Sequence, residues 1–441
     1  MNLEVIRKNK AGMILQFSIP AIISMILTSM ITLVDGFFAG NFVGKEGIAA
    51  INLGLPIVYL FLGIGLMISV GGIAIAGMAM GGGEHKKSRN VFNQTMFTTV
   101  VMAVIVAVAV VFFFEPMLDL LGAEGTVRDY FKDYYLVMLI QLPLSVINSS
   151  CGMFIRGEGN PQYFMGTSIL NVLLNTVLDL FFVKYFDMGI SGIAWASVAA
   201  TFGCLAVNIL FFIKKAKIYR FGKFSFGGDV FRNTLFNGSS EFIGEMSMCI
   251  SMFAYNLVIM RTEGVDGVTA FTIVGYMSFV FSMILIGFGQ GASVLMSFAY
   301  GAKEVELSED IRKKTSNFTF LAGAVFTTVM LLLAAPYCSV FVKEEAIREL
   351  AVRGIYLFIA NFLVSGYNGI ASVFFTSIGY AKESAVISSA RGLVILLICI
   401  AALPLFLGMD GIWLAAPVTE GLTFLISLFY LKRFRKKEQL A

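Results

Sequence analysis

The sequence predicts an all-α integral membrane protein, with twelve transmembrane helices in two pseudo-symmetric six-helix bundles around a central cleft. Three observations lead there. Hydrophobic residues make up 58 % of the 441 and charged residues only 14 %, with a mean hydropathy of +0.85, outside the range of soluble domains. Apolar runs of 20 or more residues recur twelve times, each long enough to cross about 30 Å of hydrocarbon. The chain also matches itself at a shift of 220 residues, which indicates a duplicated half.

The first run, 14–40, follows MNLEVIRKNK. It is too long for a signal-peptide core and lacks a small-residue cleavage pattern, so it reads as a retained span. Runs at 48–80, 91–114, 134–155, 163–183 and 189–213 complete the first half. The most basic connection, KKAKIYRFGKFSFGGDVFRN at 214–233, falls at the midpoint and reads as a linker. The second half repeats the pattern at 235–260, 268–300, 315–341, 354–378, 384–407 and 411–431. The expected organisation is an N-terminal lobe over 1–213, a cytoplasmic linker over 214–233 and a C-terminal lobe over 234–441.

The repeat is gapless over 47–84 against 267–304, where eight of 38 positions are identical, among them Gly71 with Gly291 and Glu84 with Glu304. A second match sets 189–199 against 408–418 at an offset of 219. Six spans per half give both copies one orientation and relate them by an axis along the membrane normal, an arrangement that encloses substrate at the interface in transporters. With both termini cytoplasmic, 23 of the 32 Lys and Arg fall on the inner side. The positive-inside rule therefore accounts for the basic excess by orientation, without a nucleic-acid partner.

Polar groups inside these runs carry the chemistry. An acid at the centre of a lone helix costs about 2.5 to 3.5 kcal/mol on insertion scales, so Asp35, in ITLVDGFFAGN, is a functional candidate. The bland alternative is a helix end at the membrane surface, since Gly36, Gly40 and Asn41 follow. In the fifth run, Asn171, Asn175 and Asp179 recur every four residues and form one polar stripe. Ser197 in the next run adds a hydroxyl. Two carboxylates in one half-bundle repel when both are ionised, so one takes a proton or they share a cation. Oxygen ligands of this kind suit sodium and a proton equally well.

These features resemble the multidrug and toxic compound extrusion (MATE) family over essentially the whole length. They comprise twelve spans in two halves, Asp35 with its following glycines, GQGASVLMSFAYGAKE at 289–304, and the N-x-x-L-D and G-x-x-G elements within 156–200. The resemblance implies a cation-coupled efflux pump for amphipathic, often cationic, drugs, working without a cofactor. It places a cation site, for a proton or sodium, on Asp35, Asn175, Asp179 and Ser197, and a first-span kink on Pro20. Ser197 stands where the family usually has Thr. Pro20 has an independent reading as a conformational hinge, because it removes a helix hydrogen bond fifteen residues before Asp35.

The second half does not duplicate the acid site: Arg391 aligns with Asn171 and Cys399 with Asp179. It carries instead Glu241, Glu245, Arg391 and Glu420, which read either as a docking point for cationic substrate or as a structural charge network. The five cysteines stand singly in apolar runs and read as small hydrophobes. The 23 Met and 43 Phe suit the lining of an adaptable drug pocket, but most are expected to face lipid or pack helices. His85, the single histidine, and the mixed-sign run 303–314 read as solvated loop residues.

No phosphate loop is present, so energy would come from an ion gradient. An intramembrane enzyme would need a richer ligand set than one histidine supplies, so none is expected. The leading expectation is a monomeric antiporter in the cell membrane, exchanging small organic cations for protons or sodium. The alternative is a flippase for a lipid-linked sugar, disfavoured because only Arg391 lies within a span to meet an anionic headgroup.

Overall fold

The computed structural model describes residues 2–120 and 122–438. Among these the chain is helical, with no strand. Eleven helices are long and apolar enough to span a bilayer. They are α1 (Lys10–Val43), α2 (Lys45–Gly81), α3 (His85–Phe112), α4 (Gly125–Gly157), α5 (Pro161–Tyr185), α6 (Gly189–Lys214), α7 (Gly228–Thr262), α8 (Gly264–Gly301) and α9 (Val305–Phe341), then α11 (Ala381–Leu407) and α12 (Met409–Glu438). Between α9 and α11 lies α10, a pair Glu345–Phe358 and Asn361–Ser377 bent by 49°, which makes a twelfth span.

The chain forms two compact units. The first holds Ile19–Gly238 and the second Asn2–Ser18 with Ser239–Ala441. Residues 2–18, assigned from the sequence to the N-terminal lobe, thus pack with the second unit. The cause is a close helix contact: a Cβ on Gly291 of α8 would meet Ser18 N at 2.6 Å. Two ion pairs support it, Arg7 with Glu304 and Lys10 with Asp310, both at 2.6 Å. The first unit holds the mirror arrangement. A Cβ on Gly71 of α2 would lie 2.0 Å from the Thr234 carbonyl of α7, and one on Gly238 would lie 1.8 Å from Met67 O. Gly71 and Gly291 are the aligned glycines of the repeat, so each half lends the start of its first helix to the other unit.

Several loop expectations change. The run 303–314 is mostly helix, since α9 begins at Val305. Its charges fall at helical spacing, with Glu309 3.5 Å from Arg312 and 4.0 Å from Lys313. His85 is exposed but is the first residue of α3. The linker's irregular part ends before Gly228, where α7 starts with Asp229 in its first turn, a favourable place for an acid at a helix N-terminus.

The rest of the linker is fixed to the first unit by side chains that imitate a backbone partner. Asn90 bonds both the N–H and the C=O of Ser225, at 2.8 and 2.9 Å. Asn93 binds Gly222 N and Arg220 O, each at 3.0 Å. Gln94 bonds both backbone groups of Gly227. The Glu158 carboxylate accepts the N–H groups of Lys217, Ile218 and Tyr219 at 2.7, 2.9 and 3.0 Å. Burial pushes the Tyr219 phenol up, so it stays neutral.

Candidate functional site: a buried carboxylate pair in the first unit

Helix α1 carries Asp35 one turn before its backbone widens into a π-helical segment, Ala39–Val43, and α5 carries Asp179 immediately before another, Leu180–Tyr185. Such segments are frequent at functional sites. Asp35 is 5 % exposed and Asp179 0 %. Asp35 is therefore buried, although it stands within the last turn before the α-helical part of α1 ends at Phe38.

The Ser197 hydroxyl of α6 donates to Asp35 Oδ2 at 3.3 Å and accepts from Asn175 Nδ2 at 3.0 Å. Asn175, Asp179 and Tyr134 also lie close to the Asp35 carboxyl. Among the described residues, neither oxygen of Asp179 nor Oδ1 of Asp35 accepts from an N–H or a neutral hydroxyl. A buried carboxylate without donors is costly when ionised. This arrangement therefore favours a shared proton or a bound cation between the two acids.

Four of the residues singled out from the sequence, Asp35, Asn175, Asp179 and Ser197, come together here. Asn171 does not join them. It lies eight residues before Asp179, about 12 Å along the helix at 1.5 Å per residue, and its Oδ1 has no partner among the described residues. Tyr134 was not anticipated, because FKDYYLV reads as an ordinary aromatic core segment. That core exists: Phe131, Tyr134, Tyr135, Phe38 and Ile193 belong to one buried cluster, with the Tyr135 hydroxyl donating to Ile51 O at 2.6 Å. Tyr134 adds a hydroxyl at its edge. From there, polar pairs descend the α4 and α6 seam, Gln141 with Thr201 at 3.3 Å and Asn148 with Asn208 at 2.7 Å.

The positions of the second unit that align with Asp35 and Asp179 are Tyr255 and Cys399, and both belong to its hydrophobic core. Tyr255 packs on Phe271 at 4.7 Å, and Phe271 stacks on Trp413 at 5.7 Å. The unit's polar residues gather elsewhere. Arg391, in a third π-helical segment at Ala390–Val394, donates through Nε to Glu420 Oε1. Asn368 Nδ2 donates to Glu420 Oε2 at 2.6 Å. Both Glu420 oxygens are thus engaged. Glu241 and Glu245 are half-buried and make no ion pair among the described residues. Pro20 is buried within α1, two residues after Ser18.

All five cysteines are free, and four are buried. Arg156 and Arg312, counted from the sequence with the connections, are 1 % exposed. Arg156 lies over the Phe164 ring at 5.1 Å, and Arg312 lies over Tyr367 and Phe374 at 5.9 and 5.8 Å. Both stand near a helix end, Arg156 next to the last residue of α4 and Arg312 in the first turns of α9, outside the apolar runs read from the sequence.

A twelve-span helical membrane protein with duplicated halves and an unduplicated pair of buried acids is the class that the fold and site define. The MatE sequence profile matches residues 20–181 and 242–401, most of both halves. The chain therefore belongs to the MATE family of membrane transporters. It is 21 % identical over 429 residues to the multidrug export protein MepA of Staphylococcus aureus, covering 96 % of this chain and 94 % of that one. It is likewise 21 % identical over 435 residues to the probable multidrug resistance protein YoeA of Bacillus subtilis, with the same coverage. Its fold matches an outward-facing multidrug resistance MATE family transporter of the MOP superfamily at a TM-score of 0.92, with 20 % identity over 97 % of this chain and 96 % of that one. A MOP superfamily transporter from Pyrococcus furiosus gives 0.89 at 21 % identity, over 96 % and 95 %.

Proposed function

We propose that this protein is a secondary antiporter that exports amphipathic organic cations in exchange for protons or sodium, loaded at Asp35 and Asp179. The observation that carries the reading is the pair of buried carboxyls lying close together, one of them without a donor among the described residues. A single positive charge stabilises such a pair, and its departure leaves like charges in a low-dielectric interior. Loading and unloading are thereby tied to a large local energy change. Asn175 and Ser197 supply neutral oxygens around the same point. The relatives named as multidrug exporters support the substrate class.

Pro20 supplies the bend. With no N–H it leaves the carbonyl four residues earlier unbonded, so α1 can flex between the part held by the second unit and the part carrying Asp35. Glu241 and Glu245, half-buried and without an ion pair among the described residues, suit an approaching organic cation better than Glu420 does, since its oxygens are already engaged. Both termini face the cytoplasm, as the distribution of Lys and Arg supports. The test is dye transport in reconstituted vesicles, with a proton or a sodium gradient imposed separately. One of the two should drive uphill movement of a lipophilic cation. Equal dye movement with no gradient and with either one would refute the proposal.

A further inference from the structure

We propose that Arg391 is a tethered cation seated in an oxygen-lined cation site of the second unit, which keeps the buried Glu420 carboxylate neutralised and leaves ion exchange to the first unit. The part about ion exchange rests on the function proposed above. The part about Arg391 and Glu420 does not.

The second unit holds the same kinds of oxygen donor as the first. Glu420 supplies a carboxylate, and its side chain is 8 % exposed. Asn368 contributes an amide whose Nδ2 also donates to the Glu420 carbonyl at 2.9 Å, and Ser427 Oγ donates to Asn368 Oδ1 at 2.9 Å. Glu420, Thr423 and Ser427 stand at i, i+3 and i+7 on α12, so they share the face that meets Asn368. Thr423 is fully buried, and its hydroxyl has no partner among the described residues. A carboxylate, an amide and buried hydroxyls are what Asp35, Asn175 and Ser197 present in the first unit. A hard monovalent cation takes such ligands.

The difference is the guanidinium. It arrives from α11 within the π-helical segment Ala390–Val394. Gly369 of α10, next to Asn368, gives it room, since a Cβ there would lie 3.4 Å from Arg391 Nη1. In the repeat, Asn368 aligns with Asn148 at offset 220 and Ser427 with Asn208 at offset 219, and the pairs Asn368–Ser427 and Asn148–Asn208 are both hydrogen-bonded. Arg391 aligns with Asn171, and Glu420, at the same offset of 219, with Thr201. Where the first unit has neutral Asn171 and Thr201, the second unit has a base and an acid at the matched positions. A cation fixed to the backbone cannot dissociate, so Glu420 neither loads nor releases an ion.

The experiment counts cations and protons bound to the purified full chain. Wild type is compared with Arg391→Gln, Arg391→Lys and the double variant Arg391→Gln with Glu420→Gln. Sodium and rubidium are measured by equilibrium dialysis, and protons by uptake in a pH-stat. Arg391→Gln should bind about one monovalent cation or proton more than wild type. Arg391→Lys and the double variant should match wild type. An Arg391→Gln variant with the wild-type count, or a gain that persists in the double variant, would overturn the proposal. If Arg391→Gln does not survive purification, its thermal midpoint in membranes decides. Rubidium chloride in place of choline chloride, or acid in place of neutral buffer, should raise that midpoint more than it raises that of wild type. Equal responses would again overturn it. A wild type that binds nothing would sink the antiport reading while leaving the difference between variants intact.

Discussion

Replacing Ser197 by Ala removes a hydroxyl that joins α5 and α1 at the carboxylate pair. In the folded protein that oxygen accepts from Asn175 Nδ2 at 3.0 Å and donates to Asp35 Oδ2 at 3.3 Å. A hydrogen bond to a charged group contributes about 1.5 to 3 kcal/mol. A length of 3.3 Å is long for a hydroxyl donor, which places this contact near the lower end. That bond stabilises the unloaded, ionised carboxylate, so its loss of about 1.5 kcal/mol corresponds to about tenfold tighter cation binding, at about 1.4 kcal/mol per tenfold. The Asn175 amide loses Ser197 but still reaches the Asp35 carboxyl, so stability should fall by no more than about 1 kcal/mol. The assay is the coupling-cation concentration that half-saturates dye export in vesicles, measured together with the thermal midpoint. Ser197→Ala should lower the half-saturating concentration about tenfold, and Ser197→Thr, which keeps the oxygen, should leave it near wild type. A folded Ser197→Ala with an unchanged half-saturating concentration would show that this hydroxyl does not belong to the cation site.

Gly238→Ala and Gly71→Ala force a Cβ onto backbone carbonyls 1.8 and 2.0 Å away, and each should destabilise by about 1 to 3 kcal/mol in thermal unfolding. Gly36→Ala and Gly166→Ala, with nothing within 4 Å, should be neutral or stabilising by up to about 1 kcal/mol. Glu158→Ala removes the acceptor for three linker N–H groups, so limited trypsin should cut at Lys217, Arg220 or Lys223 well before it cuts wild type. Lys132 and Arg128 hold the Glu115 carboxyl below its ordinary range. Any contribution from it is therefore present at neutral pH and lost only as acid passes below that range, and Glu115→Gln should change the midpoint at neutral pH by less than experimental scatter, as expected of an exposed pair.

Twelve spans and two halves were legible because hydrocarbon leaves the backbone few alternatives to helix. The Asn171, Asn175 and Asp179 stripe was legible for a related reason, since polar groups at helical spacing in an apolar run are costly against lipid and persist on a face turned to protein or water. That Asn175 and Asp179 reach the site while Asn171 stops short depends on where α6 and α1 cross α5, which spacing along one helix does not encode. Tyr134 was hidden because its ring belongs to an ordinary core and only its hydroxyl touches the site. The exchange of residues 2–18 with 228–238 was also hidden, although Gly71 and Gly291 marked it. A glycine in a helix signals a close approach without naming the partner. The run 303–314 misled because alternating charge suits a solvated loop and the exposed first turns of a helix equally well.

The most direct test counts the coupling ions exchanged per dye molecule in vesicles containing wild type, Asp35→Asn or Asp179→Asn. If the two buried carboxyls load the coupling ion, wild type shows a fixed ratio, and both variants lose gradient-driven export while dye binding persists. Wild-type export rates and ion ratios in both variants would contradict it.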